Sequence, residues 1–214
     1  MTFGVASTAV TERLGGLIAK ERELRSLEVI SLVPLRDRIP HRIKWRSSMA
    51  KEPKTLDDLF HDTLKDIYYA EKKILATLPK MAKASQNDEL TAAFEKHRAE
   101  TERQVERLEQ VFALIDKKAQ GKTCDAIIGI TDEGAEIIKE YKGSPALDAG
   151  LIAAAQAVEH YEISRYGTLR TWAEELGLND AASLLQETLD EEKATDEALT
   201  KIAESVVNQE AEAA

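Results

Sequence analysis

Residues 55–78, TLDDLFHDTLKDIYYAEKKILATL, decide the fold. Thr55 followed by Asp57 and Asp58 reads as a helix start, because a threonine hydroxyl satisfies orphan backbone N–H groups and acids in the first turn complement the helix dipole. Apolar residues then recur at Leu56, Leu59, Phe60, Leu64, Ile67, Ile74, Leu75 and Leu78, the spacing of one helical face. Glu71 breaks the pattern. It lies on that face among Ile67, Ile74 and Leu75, where an uncompensated anion would cost several kcal/mol or more.

Outward from this stretch the body reads as helix almost throughout. Pro79 is expected to kink the first helix rather than end it, since the apolar pattern continues through Met81. Ser85-Gln86-Asn87-Asp88 makes a turn, with Asn87 or Asp88 as the next cap. A second long helix carries Leu90, Phe94, Val105, Leu108, Val111, Phe112 and Ile115, with Gly121 expected to close it. A shorter helix, about Cys124 to Tyr141, leads to the break Lys142-Gly143-Ser144-Pro145. A third long helix runs from Ala146 to Leu176, and Gly177-Leu178-Asn179-Asp180 turns the chain into a fourth, Ala181 to Val207. Two hairpins of long helices joined by a long connection predict an all-α, ferritin-like four-helix bundle with a short helix in the crossover. An internal echo agrees. At an offset of 91, Ile67 meets Val158, Glu71 meets Glu162, Leu78 meets Leu169, Phe94 meets Leu185, Glu100 meets Glu191 and Leu108 meets Leu199.

Composition narrows the class of protein. Only 10 Gly and 5 Pro in 214 residues leave few turns, which favours long helices over many strands. A net charge of −10 argues against nucleic acid as the main partner, which would need a basic face. No apolar run approaches the roughly 20 residues that cross a bilayer. Cys124 is the lone cysteine, so an internal disulfide is excluded and a reducing cytoplasm fits best. Charge also divides the chain. Residues 1–48 hold nine Lys/Arg against five Asp/Glu, whereas residues 49–214 hold 20 against 34. Residues 1–48 are read as a basic extension, disordered or upstream of a working start at Met49, and residues 49–214 as the bundle.

Most acids lie opposite the apolar stripes, where solvated charges belong: Glu95, Glu102, Glu106 and Glu109 all do. A few do not. Glu162 sits on its stripe between Val158 and Leu169, as Glu71 does on its own. Glu192 lies among Leu185, Leu189 and Leu199, with Asp196 one turn later, and the choice between Glu191 and Glu192 as the inward residue stays open. Glu100 flanks its stripe, while His97 and Gln104 lie on it. Buried carboxylates must be protonated, paired or bound to metal. Carboxylates and histidine from facing helices are the arrangement that holds di-iron or di-manganese in bundle cores, and oxygen and imidazole ligands suit both metals. The competing account is an internal ion network, for which Arg165, on the stripe one turn from Glu162, supplies the cation. His160 and His61 are read as surface residues, Tyr68, Tyr161, Tyr166 and Trp172 as packing, and Cys124 as structural.

Thr55-Leu56-Asp57-Asp58-Leu59-Phe60, Tyr69-Ala70-Glu71-Lys72-Lys73-Ile74-Leu75 and Leu78-Pro79-Lys80-Met81-Ala82 resemble the YciF/YciE family of ferritin-like stress proteins. So do His97-x-x-Glu100-Thr101, Val105-Glu106-Arg107-Leu108-Glu109 and Leu189-Asp190-Glu191-Glu192-Lys193-Ala194-Thr195-Asp196, in order over about Thr55 to Ala203. The resemblance implies a dimeric bundle akin to rubrerythrin, of a kind named ferroxidase by analogy. The oxidoreductase reading of the core takes Fe(II) and dioxygen or peroxide as substrates, with Glu71 and Glu162 as terminal ligands, Glu100 and Glu192 bridging, His97 the nitrogen ligand and Asp196 a further acceptor. The chain departs from the ferritin-type pattern, which carries Glu-x-x-His twice. Here Arg103 stands three places after Glu100, Ala194 after Glu191 and Thr195 after Glu192, and Gln104 stands where some members of the family offer a histidine. The alternative is a non-enzymatic stress protein in which Arg165 neutralises the core acids and the outer surface binds partners. The apolar face of the crossover helix, Ile127, Ile128, Ile130, Ile137 and Ile138, could cover the bundle or form the surface on which a second copy docks.

Overall fold

The computed structural model describes residues 53–213; the basic segment 1–48 and the start at Met49 lie outside them. The first helix, α1 (Leu56–Ala84), opens on a reciprocal cap. The Thr55 N–H donates to Asp58 Oδ2 at 2.9 Å, and the Asp58 N–H donates to Thr55 Oγ1 at 3.3 Å. The helix runs on through Pro79 to Ala84. The Asn87 side chain caps α2 (Asp88–Leu114), accepting from the N–H groups of Glu89 and Leu90 at 2.9 and 3.0 Å.

Gly121 does not close α2. The helix ends seven residues earlier, at Leu114, and just beyond it Asp116 takes a left-handed conformation (φ 53°). The N–H of Lys117 reaches the Phe112 carbonyl at 2.9 Å and that of Asp116 reaches Ala113 at 3.1 Å, a Schellman closure on an aspartate. Gly121 has another role. A Cβ there would stand 3.2 Å from Tyr69 Cβ, so its absence lets the connection lie against α1, where the Lys122 N–H bonds the Lys65 carbonyl at 3.0 Å.

The crossover helix α3 (Asp125–Glu140) packs across α1 and α4 (Leu147–Glu175). A Cβ at Gly150 would meet Ile137 Cγ2 at 2.7 Å, so α3 presses on α4 where α4 has no side chain. Ile127 is buried, and Ile130, Ile137 and Ile138 pack against the core. The isoleucine face therefore covers the bundle rather than standing free for a second copy. α4 turns at Leu176–Leu178 into α5 (Asn179–Ile202), which passes through one π-helical turn, Ala203–Val207, into a final short helix α6 (Asn208–Glu212).

α1 pairs with α2, α4 with α5, α2 with α5 and α1 with α4, which closes a four-helix square. All described regular structure is helical. The echo at 91 is structural: α1 and α4 begin 91 residues apart, at Leu56 and Leu147, and α2 and α5 do so at Asp88 and Asn179. Ile67 and Val158, Leu78 and Leu169, Phe94 and Leu185, and Leu108 and Leu199 are buried as pairs. Each such aliphatic or aromatic side chain contributes about 1.5–3 kcal/mol by leaving water. Glu71 and Glu162 are an equivalent pair too, and both are fully buried. No described helix is long and apolar enough to cross a membrane.

Candidate metal centre

Four helices deliver polar side chains to one level of the core. α1 brings Glu71, α2 brings His97 and Gln104, α4 brings Glu159 and Glu162, and α5 brings Glu192; each is at most 3% exposed. The three-residue step from Glu159 to Glu162 puts both on one face of α4. His97, Glu159, Glu162 and Glu192 each point a ligand-capable atom into a group whose members lie within 4.8 Å of one another. Glu71 lies against Glu162 and near Glu192, and one of its oxygens accepts from the buried Tyr166 hydroxyl.

As ionised carboxylates these groups cannot satisfy each other, although Glu71 and Glu162, and Glu159 and Glu192, lie close enough to share a proton. Both oxygens of Glu162, both of Glu192, and one each of Glu71 and Glu159 are buried with no hydrogen-bond donor, as are both ring nitrogens of His97. His97 Nε2 is 3.2 Å from Glu159 Oε1, yet the two lack the alignment of a hydrogen bond. Buried polar atoms nearly always find partners, and so many orphans at one point make this cluster a candidate for a bound ion. Burial, and then the neighbouring Glu192, pushes Glu71 and Glu159 well above the usual carboxylate range. Burial followed by Glu71 does the same to Glu162, and burial lifts Glu192 to about 7. Burial also lowers His97 to about 4, which leaves its imidazole neutral with a lone pair to give.

The nearest cations go elsewhere. Arg107 forks onto Glu191 through two contacts of 2.7 Å, and Gln104 Nε2 donates to the same carboxylate at 3.1 Å. A carboxylate only accepts, so the Gln104 amide orientation is settled, and its Oε1 is left buried and unpartnered. Glu192 is thus the inward residue of the Glu191–Glu192 pair. Arg165 does not reach the core acids. It is 40% exposed, stands 3.7 Å from Asp66 and lies over the Tyr161 ring. The ion network expected around it is replaced by this surface pair.

Two of the other residues singled out from sequence lie beside the cluster. Glu100 is partly buried and takes Lys96 at 2.8 Å, with one oxygen buried and unpartnered. Asp196 is partly exposed and is held by Gln156 at 3.0 Å, with the exposed His160 at 3.3 Å. Glu159 was not singled out. Its signal was the Glu159-x-x-Glu162 spacing, obscured because its neighbour Val158 already accounted for the stripe. Cys124 is buried, 3.1 Å from the Tyr161 hydroxyl, in keeping with a structural part.

A four-helix bundle with a carboxylate-rich polar core defines the class of protein, and comparison with known proteins places it more narrowly. The profile described as "Domain of unknown function (DUF892)" matches residues 55–212. Protein YciF of Escherichia coli strain K12 is 48% identical over 160 residues, 74% of this chain and 96% of that protein. The crystal structure of the E. coli stress protein YciF superimposes with a TM-score of 0.70 at 47% identity, covering 73% of this chain and 99% of that one. YcfI of Rhodopseudomonas palustris gives 0.67 at 45% identity, over 71% and 96%. A Xanthomonas campestris protein, at 21% identity and a TM-score of 0.57 over 72% and 94%, shares the fold. The chain belongs to the DUF892, or YciF, family.

Proposed function

We propose that this chain is a stress-response protein, as its E. coli relative is described, and that its core holds two divalent iron or manganese ions, at which dioxygen would oxidise Fe(II) or peroxide would be consumed. The observation that carries the reading is the set of buried, unpartnered carboxylate oxygens around a neutral imidazole. Four core carboxylates, Glu71, Glu159, Glu162 and Glu192, balance the charge of two divalent cations. Their oxygens with one histidine nitrogen suit iron and manganese rather than softer metals. His97, Glu159, Glu162 and Glu192 would hold metal together, with Glu71 beside Glu162 as a further oxygen donor. Gln104 Oε1 and Glu100 offer neutral and anionic oxygens at the edge. A bound pair would supply two one-electron steps, so that two Fe(II) and two protons convert one dioxygen to hydrogen peroxide and leave two Fe(III).

The chain's own residues prepare the site for this. The Tyr166 hydroxyl, kept protonated by burial, fixes the rotamer of Glu71 and holds a proton beside it. Arg107 anchors Glu191, which holds the Gln104 amide with its oxygen free. Burial of His97 keeps a lone pair on the ring at neutral pH. The homodimer that the family implies belongs to the same proposal, and a monomer by light scattering at micromolar concentration removes it.

Anaerobic titration with Fe(II), followed by admission of dioxygen, tests the chemistry. Two ions should bind per chain, ferric absorbance should then appear, and one peroxide should form per two irons. Absence of saturable binding would refute the reading.

A further inference from the structure

We infer that the cavity beneath the crossover helix α3 is the entrance for a small neutral oxidant, dioxygen or hydrogen peroxide, and not for the metal cation. The inference rests on the metal reading above and adds a substrate class and a route to it. The cavity holds about 90 Å³ between α1, α3 and α4. At its inner end stand His97 and Glu159, 3% and 1% exposed, with buried nitrogen and oxygen atoms that have no partner. Its outer end is lined by the exposed Lys80, Asp132 and Ala135. It therefore joins the surface to the candidate ligands.

Size and lining select the occupant. An apolar cavity of about 150 Å³ takes benzene or xenon, so the smaller volume here suits a diatomic or peroxide-sized molecule. The wall is largely apolar, with Ile74, Leu78, Met81, Ile130 and Val158 on it, and Gly134 on α3 faces Ala154 on α4, which Ala155 follows. A hydrated divalent cation loses much by entering such a passage, because few groups on the wall can replace its water. Lys73, Lys80 and the carboxyls of Asp132 and Glu159 line it, so its charge offers a cation no net attraction. A neutral oxidant does not meet the cost of lost hydration.

The test uses the full chain with an inner plug, Ala155→Leu, and an outer one, Ala135→Phe. Ala135 is exposed, so the second variant keeps the test alive if the first misfolds. Xenon, followed by its NMR shift, probes the passage in metal-free protein. Saturable binding is expected in the parent and its loss in both variants. After anaerobic loading, parent and variants should hold equal iron, while oxidation slows at least about tenfold in both variants. Dioxygen and hydrogen peroxide, admitted in separate runs, show which oxidant uses the passage. No xenon in the parent, or full oxidation rates in plugged variants holding full iron, overturns the entrance. Reduced iron loading with an unchanged rate per iron assigns the passage to the cation and overturns it as well. A parent that binds xenon but no iron defeats the metal reading itself, and the entrance falls with it.

Discussion

Two buried carboxylate sites in this molecule have opposite surroundings. Asp148, at the start of α4, is 6% exposed and accepts from the Gln86 N–H at 3.0 and 3.1 Å and the Asn87 N–H at 2.7 Å. It ties the α1–α2 turn to the second hairpin, and backbone donors meet its charge. Glu71, Glu159, Glu162 and Glu192, midway along the bundle, share one hydroxyl donor, from Tyr166, and leave six oxygens bare. The first arrangement is complete when the chain folds. The second is a loan against something from solution, because folding alone pushes the pKa of every member upward. Burial by itself therefore does not mark function. Burial without donors does.

The largest expected difference between the two sites is in chemistry. Glu192→Gln should cut Fe(II) oxidation by about 100-fold or more, since it removes a ligand and not merely a residue that supports one. Asp148→Ala should leave the oxidation rate within about twofold, and stopped-flow absorbance compares the two. Equal losses would erase the distinction.

Stability should show the reverse order. Asp148→Ala strands two N–H groups and should cost about 1–3 kcal/mol in urea unfolding. Metal content should not change.

The pH dependence sharpens the core side. In the metal-free protein Glu192 titrates near 7, against 4.5 for an ordinary glutamate. Because the folded value is the raised one, stability from this group is whole below about 4.5 and is lost as pH climbs through about 7. His97 acts in the opposite sense, being lowered from 6.5 to about 4, but it is common to parent and variant and cancels in their difference. Relative to Glu192→Gln, the metal-free parent should lose about 3 kcal/mol between pH 4.5 and 8. Denaturation at a series of pH values measures this. A constant difference would mean that Glu192 is already compensated.

The smallest effect belongs to Arg165. Its pair with Asp66 is partly exposed, so Arg165→Met should shift stability by less than about 1 kcal/mol and leave metal uptake intact. Loss of a cation that neutralised the buried acids would instead cost about 3–5 kcal/mol.

The fold was legible from residues 55–78 and the offset of 91 because helix period and caps are local signals. The close of α2 was not, since Asp116 in a left-handed turn carries no glycine to announce it. The π turn at Ala203–Val207 had no signal either. In the core, Glu71, Glu162 and Glu192 announced themselves as acids on apolar stripes. Glu159 escaped because inwardness at the edge of a stripe is set by how α4 and α5 face each other, which sequence period does not contain. Arg165 misled for the same reason: a long side chain near a stripe can reach outward to Asp66 while its stem packs inside.

The central claim is that the core acids wait for metal, and one set of thermal melts tests it most directly. Parent and Glu162→Gln are melted at pH 7.5, each with and without Mn(II) under anaerobic conditions. Without metal, the variant should melt at or above the parent, because removing one of several mutually repelling buried acids relieves the core. Mn(II) at a hundredfold excess over its dissociation constant should then stabilise the parent by about 2.7 kcal/mol for each ion bound and leave the variant unmoved. A variant that melts well below the parent, with neither protein responding to Mn(II), would show that the chain satisfies these carboxylates itself and would contradict the account.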